Sequence, residues 1–243
     1  MNSPHTVSID GCAIAFENGQ TIMEAATEAG VYIPHLCHHP ELTPRGNCRL
    51  CTVRVNGRTM AACITPAADG QVIENASEAL QAVRRSLLQM LFVEGNHICP
   101  TCQVSGSCQL QALAYHAQMV TPRFPHAFPK RSVDASHPDV ILDFDRCIVC
   151  ELCVRASREL DGKEVFVIGG RGASARLMVN SPTGRLGDSD LSVSDRAAHI
   201  CPVGAILLRS KGFEVPIGER LYDRATIERA GHRPTAYREV GHG

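Results

Sequence analysis

Apolar and polar residues alternate from Thr6 to Ile9 and again from Ala13 to Phe16, on either side of Asp10-Gly11. That pair suits the positive backbone angles of a tight hairpin turn, so the segment predicts two antiparallel strands. Thr21-Ile22-Met23-Glu24 has the form of a capping box, with Thr21 capping a helix and Glu24 reaching back, and Gly30 is placed to end that helix. A second hairpin is signalled by Thr52 to Val55 and Thr59 to Cys63 around Asn56-Gly57. Residues 1–76 therefore read as a small sheet with one helix, and the class as α+β.

At Ser77 the period changes. Leu80, Val83, Leu87, Leu88 and Leu91 recur at helical spacing, with Arg84 and Arg85 expected to face away from the apolar side. This opens a second, helical segment, 77–137, with a further helix expected from Gln109 to Met119 and a proline-bearing linker from Thr121 to Pro129. A third segment, 138–215, shows short apolar runs at Val140 to Phe144 and Val165 to Ile168 that read as strands. Residues 216–243 form a tail without usable periodicity. Gly169-Gly170-Arg171-Gly172 lacks the frame of a dinucleotide-binding loop and reads as a glycine turn between strands.

Composition alters this picture in one respect. The chain has 243 residues, 44% apolar and 20% charged with a net charge of -1, enough to bury a core and without the basic excess that nucleic acid would call for. Aromatics are only 5%, so small domains held partly by something other than side-chain packing are expected. The opening MNSPHTVSID shows no export pattern, and no apolar run is long enough to span a membrane, which together predict a cytoplasmic location. Twelve cysteines in such a chain point to metal ligation, because cytosolic thiols are kept reduced.

Eleven of the twelve fall into three sets. Cys37, Cys48, Cys51 and Cys63 are spaced C-x10-C-x2-C-x11-C, with Gly46 in the loop where backbone amides could approach sulfur. Four thiolates suffice for a 2Fe-2S cluster. The rival is a four-cysteine zinc site, though such sites usually show two C-x2-C pairs. A Rieske centre would need a C-x-x-H partner for Cys37-His38-His39, and the chain has none, so His38 and His39 read as solvated loop residues.

The second set, Cys99-x2-Cys102-x5-Cys108, leaves a 4Fe-4S cubane one ligand short. His97 is the candidate for the fourth corner, since neutral imidazole is a competent ligand and Gly95 frees the backbone to turn it inward; His116 and Cys12 are the fallbacks. The third set, Cys147-x2-Cys150-x2-Cys153, opens a bacterial ferredoxin run whose fourth position is Ser157 here. Counting back from Cys201-Pro202, a second run's first three cysteines would fall on Leu191, Ser194 and Ala197. The second cluster of a two-cluster ferredoxin is thus missing, and Cys201 is the remote cysteine that completes the remaining 4Fe-4S set; zinc accounts for this spacing poorly.

In this order the sets resemble the electron-input region shared by respiratory complex I, iron-only hydrogenases, some NAD-dependent formate dehydrogenases and soluble NAD-reducing nickel-iron hydrogenases. Within that group the run Glu94-Gly-Asn-His-Ile-Cys-Pro-Thr-Cys-Gln-Val-Ser-Gly-Ser-Cys108 is most similar to the small diaphorase subunits of the NAD-reducing hydrogenases. Complex I relatives and iron-only hydrogenases show H-x3-C before this group, an offset that falls on Gly95 here. The resemblance implies a 2Fe-2S ferredoxin-like (β-grasp) domain, a small helical 4Fe-4S domain with histidine and three cysteines, and a bacterial-ferredoxin-like 4Fe-4S domain. It implies a non-catalytic subunit of a hetero-oligomer, passing electrons between hydrogenase small and large subunits and a flavin/NAD-binding diaphorase subunit. FMN, NAD and the Ni-Fe centre would then sit on those partner chains only. A formate dehydrogenase or complex I-like subunit is the alternative within the class, and a zinc-stabilised interaction module the alternative outside it.

Overall fold

The computed structural model describes residues 5–209 and 212–232. The chain divides into two compact units, Met1–Leu88 and Gln89–Gly243.

The first unit is a mixed five-stranded sheet in the order β2-β1-β5-β3-β4, from β1 (His5–Ile9), β2 (Cys12–Phe16), β3 (Thr52–Val55), β4 (Arg58–Ala61) and β5 (Val72–Glu74). Both expected hairpins form, pairing Ile9 with Cys12 and Val55 with Arg58. Their turns hold Asp10, Gly11, Asn56 and Gly57 at positive φ, conformations that Asn, Asp and Gly tolerate best. β1 and β5 run parallel, so the chain must cross over between them. Helix α1 (Ile22–Glu28) lies within that crossover and has the full capping box of Thr21 and Glu24. It buries Ile22, Met23, Ala25 and Ala26 against Val7, Ile9, Ile14, Val53 and Ile73 of the sheet.

Helix α2 (Glu78–Val93) follows, and its phase departs from the sequence expectation. The buried line is Leu80, Arg84 and Leu88, while Val83 is 48% exposed and Arg84 only 2%. Arg84 faces inward because the loop beneath presents carbonyl oxygens that an apolar side chain would leave unpaired. Its guanidinium donates to Leu50 O at 3.1 Å, Thr52 O at 2.9 Å, Asn75 O at 2.7 Å and Asn75 Oδ1 at 2.7 Å.

The second unit is built from short pieces. Helices α3 (Gln109–His116), α4 (Leu152–Glu159), α5 (Arg196–His199) and α6 (Ile227–Ala230) accompany a three-stranded sheet, β10-β7-β6, and a hairpin, β8-β9, with α4 against β8 and α5 against β10. These strands are β6 (Val133–Asp134), β7 (Val140–Asp143), β8 (Phe166–Gly169), β9 (Arg176–Val179) and β10 (Ile206–Leu208). Gly170, at φ +73°, turns β8 into β9 where an added Cβ would meet Ser174 O at 2.3 Å, so the glycine run is a turn between strands. The expected helix after Cys108 ends at His116, three residues early, and Thr121 to Pro129 hold neither helix nor strand. Part of the tail is ordered against the cluster segment: Tyr222 N–H donates to Gly106 O at 2.8 Å and Arg220 to Ser105 O at 3.0 Å. The rest of it, residues 233–243, lies outside the described residues.

Candidate metal centres

In the first unit Cys37 lies on the loop after α1, Cys48 and Cys51 lead into β3, and Cys63 follows β4. The loop and the two hairpin strands bring all four together. Cys51 Sγ and Cys63 Sγ are 3.4 Å apart, and Cys48 N–H points at Cys37 Sγ at 3.3 Å. Leu36 N–H reaches Cys48 Sγ at 3.4 Å. The Asn47 amide also donates to Cys37, that of Leu50 to Cys48, and that of Gly46 to Cys63. Gly46 sits at φ +70°, and a Cβ there would meet Ile64 Cδ1 at 2.9 Å. Arg49, between Cys48 and Cys51, is likewise left-handed at φ +57°. Left-handed backbone recurs at sites that need amides aimed at a ligand, and here the Gly46 amide meets the Cys63 sulfur.

The thiols of Cys37 and Cys51 are pushed up, each first by its hydrogen bond to a neighbouring sulfur and then by burial. The same two hydrogen bonds pull Cys48 and Cys63 down. Four sulfurs this close cannot all ionise in a buried site unless a cation accompanies them.

His38 and His39 are half-buried rather than solvated. His38 stacks edge-on to His35 with centroids 5.2 Å apart, and His39 Nδ1 accepts from Glu41 N–H at 3.3 Å. Cys12 is exposed at the start of β2.

In the second unit two hollows are each lined by four of the expected ligands. The first is bounded by His97, Cys99, Cys102 and Cys108 with Phe92, Arg146 and Gly204. Cys99 opens a 3-10 turn, and Cys108 caps α3, where the Leu110 and Gln111 amides donate to its sulfur. Burial still pushes the Cys108 thiol up to about 12. His97 packs edge-on to Phe92 at 5.6 Å, and its buried Nε2 has no hydrogen-bond partner among the described residues. A buried, unpaired ring nitrogen is costly unless something else occupies it. Burial, then the charges of Arg146, His126 and Arg131, holds the imidazole down to about 4, so its lone pair is available at neutral pH.

Gly95 contributes space rather than backbone freedom. Its φ is unexceptional, but a Cβ there would lie 2.7 Å from His97 Nε2 and 2.8 Å from Asp145 O. Sequence reasoning missed Gly204, whose added Cβ would lie 3.3 Å from Cys102 Sγ, and Arg146, whose Nη1 is 3.7 Å from that sulfur. Neither carries a local signal, because both reach this hollow from segments far along the chain. His116, the fallback ligand, pairs instead with Glu228 at 3.0 Å.

The second hollow is lined by Cys147, Cys150, Cys153 and Cys201 with Ile168, Leu177, Val203 and Ile206. Val149 and Glu151 between its cysteines are left-handed, at φ +53° and +63°, and the Val149 amide donates to Cys147 sulfur. A β-branched residue at positive φ is a genuine outlier, and here it turns an amide toward the hollow. Burial raises Cys147 to about 11 and Cys153 well above the ordinary thiol range. Ser157, the missing fourth cysteine, is fully buried and accepts the Val165 amide at 3.0 Å. Leu191 and Ala197 are packed into the core where a second run would have placed thiols.

Among the described residues no three His, Cys, Asp or Glu side chains converge closely enough to hold a single metal ion. The His97 and Cys147 sets line hollows instead, which suits a polynuclear cluster better than zinc, whose ligands must meet about 2.0–2.3 Å from one point. The soft, sulfur-rich donor sets fit iron-sulfur clusters.

Known families agree with this division of labour. Residues 2–78 match a 2Fe-2S iron-sulfur cluster binding domain, residues 84–123 the NADH-ubiquinone oxidoreductase-G iron-sulfur binding region, and residues 140–208 a 4Fe-4S single cluster domain. The chain is 40% identical over 222 residues to the NAD-reducing hydrogenase HoxS subunit gamma of Cupriavidus necator, covering 91% of this chain and 94% of that one. It is 33% identical to the mitochondrial NADH-ubiquinone oxidoreductase 78 kDa subunit of Candida albicans, of which it spans 29%. A chain in the crystal structure of an NAD+-reducing NiFe-hydrogenase in the H2-reduced state superposes with TM-score 0.90 at 53% identity, over 93% of this chain and 96% of that one. No helix among the described residues is long and apolar enough to cross a membrane.

Proposed function

The chain belongs to the family of the NAD-reducing hydrogenase gamma subunit, and on that footing we propose that it carries one 2Fe-2S and two 4Fe-4S clusters between a hydrogenase dimer and a flavin-bearing, NAD-handling diaphorase subunit. It is an electron-transfer subunit, not the catalytic one. The ligands we assign are Cys37, Cys48, Cys51 and Cys63 for the 2Fe-2S centre. His97, Cys99, Cys102 and Cys108 would hold the first 4Fe-4S centre, and Cys147, Cys150, Cys153 and Cys201 the second. The observation that carries this is the pair of hollows, each walled by four such side chains.

Bound clusters supply one-electron chemistry, which two-electron nicotinamide needs a flavin to match; FMN, NAD and the Ni-Fe centre belong to the partner chains in this reading. This chain's own residues ligate iron, aim amide hydrogens at sulfur and keep water out, which are the levers that set a cluster's potential. The test is reconstitution. Anaerobically purified chain should contain about ten irons and ten sulfides. It should neither oxidise NADH nor consume hydrogen alone, and it should restore hydrogen-dependent NAD reduction when added to its flavin and hydrogenase partners. Stoichiometric zinc with little iron, or NADH oxidation without added flavoprotein, would refute it.

Gly46 gives a sharper check on the 2Fe-2S assignment. Gly46→Ala forces a side chain into the left-handed region, a cost of about 1 kcal/mol, and into Ile64. The amide that meets Cys63 then has to turn away. The variant is expected to lose 2Fe-2S signal, while both 4Fe-4S centres stay fully occupied by iron analysis and electron paramagnetic resonance.

A further inference from the structure

Arg84 is the largest side chain in the core, only 2% exposed, and it has no ion-pair partner among the described residues. A buried guanidinium that hydrogen-bonds no carboxylate is unusual, because removing a unit charge from water costs several kcal/mol unless something returns it. Four of its five N–H bonds go to neutral oxygens. Two of these are the carbonyls of Leu50 and Thr52, the residues on either side of Cys51. The others belong to Asn75, which is itself locked in place: its amide N–H donates to Asp10 Oδ1 at 2.7 Å and its Nδ2 to Tyr32 O at 3.1 Å. Leu50 and Cys51 are fully buried, so little water screens the charge from the cysteine beside it. Desolvation lowers Arg84 to about 10, with Cys51 and then Asp10 acting to raise it, and a guanidinium keeps its charge at neutral pH.

We infer that Arg84 tunes the 2Fe-2S centre: held by the carbonyls on both sides of Cys51, it keeps a permanent positive charge beside the cluster. The inference rests on the assignment of Cys37, Cys48, Cys51 and Cys63 as ligands. Four thiolates leave such a centre with a net negative charge that grows by one on reduction. A fixed cation nearby favours the more negative, reduced state and raises the potential, while the cluster's charge offsets the cost of burying the cation. No sequence signal marks Arg84 for this task, since the helical period assigns it to the outer face.

The test is an anaerobic redox titration of the full chain, followed by electron paramagnetic resonance, on wild type, Arg84→Gln and Arg84→Lys. Glutamine keeps a donor without the charge, and lysine keeps the charge without the fork. In Arg84→Gln the reduced-to-oxidised ratio of the 2Fe-2S centre at the wild-type midpoint should fall about tenfold, a shift of about 59 mV for one electron. Both 4Fe-4S midpoints should be unmoved, and Arg84→Lys should stay near wild type. If Arg84→Gln alone fails to take up the cluster while Arg84→Lys loads at the wild-type midpoint, the charge is what the site requires and the inference stands. An unshifted Arg84→Gln, an equal fall in both variants, or loss of the centre from both would overturn it and leave Arg84 a folding role only. A wild-type chain without a 2Fe-2S signal would instead sink the ligand assignment beneath it.

Discussion

Stripping iron and sulfide from the loaded chain is expected to unfold the segment from residue 96 to residue 206 while leaving much of the first unit's sheet in place. The two units differ in what else holds them. Met1–Leu88 has a five-stranded sheet with an apolar core of Val7, Ile9, Ile14, Ile22, Met23, Ile33, Val53, Val55 and Ile73. Within Gln89–Gly243, by contrast, the helices α3 and α4 have eight residues each and α5 and α6 four each. Helices that short have no stability of their own in water. The sheets there have two and three strands, and two hollows walled by the proposed ligands stand where side chains could otherwise pack. A metal site that organises a small domain is worth about 10 kcal/mol, against about 5–15 for the net stability of a whole domain, so losing two such sites should exceed what packing supplies. Amide hydrogen exchange on chelated and untreated protein would show it. Protection in α3, α4 and β7 should collapse, and that in β1 and β3 should largely survive. Unchanged protection between residues 147 and 206 after verified iron loss would show that the clusters do not hold this unit together.

The parts of the fold that could be read from sequence are those fixed by neighbours in the chain. Asp10-Gly11, Asn56-Gly57 and the Thr21–Glu24 capping box each specify a turn or cap within four residues, and all three form as expected. Cysteine spacing is legible for the same reason, since a C-x2-C knuckle brings two sulfurs together with only local backbone. Arg84 shows where this stops. The period of α2 is right but its phase is set by three carbonyls on other segments, Leu50, Thr52 and Asn75, that need donors. Gly204 and Arg146 were invisible for the related reason that each reaches the His97 hollow from outside the cysteine motif. Gly95 was noticed, but for its flexibility, when its contribution is the room that a missing Cβ leaves for an imidazole. Distances in space, not along the chain, decide such roles.

His97→Ala is expected to abolish the first 4Fe-4S centre as a four-iron cluster while sparing the other two. The buried Nε2 has no hydrogen-bond partner among the described residues, and the three cysteines that line the same hollow can ligate only three corners of a cubane. Alanine would leave the fourth iron open in a pocket with no replacement ligand at hand: His116 is paired to Glu228, and Gly204 offers no side chain. A three-iron or labile cluster should result, with iron content falling by about one to four atoms per chain. His97→Cys tests the same corner in the opposite sense. Imidazole is neutral where thiolate is negative, so cysteine would add charge to the cluster and disfavour reduction. If its shorter side chain still reaches iron, the potential of this centre alone should fall. Gly95→Ala should resemble His97→Ala although the histidine is kept, because its Cβ would fall 2.7 Å from Nε2 and push the imidazole out of place. Redox titration with electron paramagnetic resonance on the three variants separates the outcomes. Three unchanged cluster signals in His97→Ala would show that the fourth ligand comes from another residue.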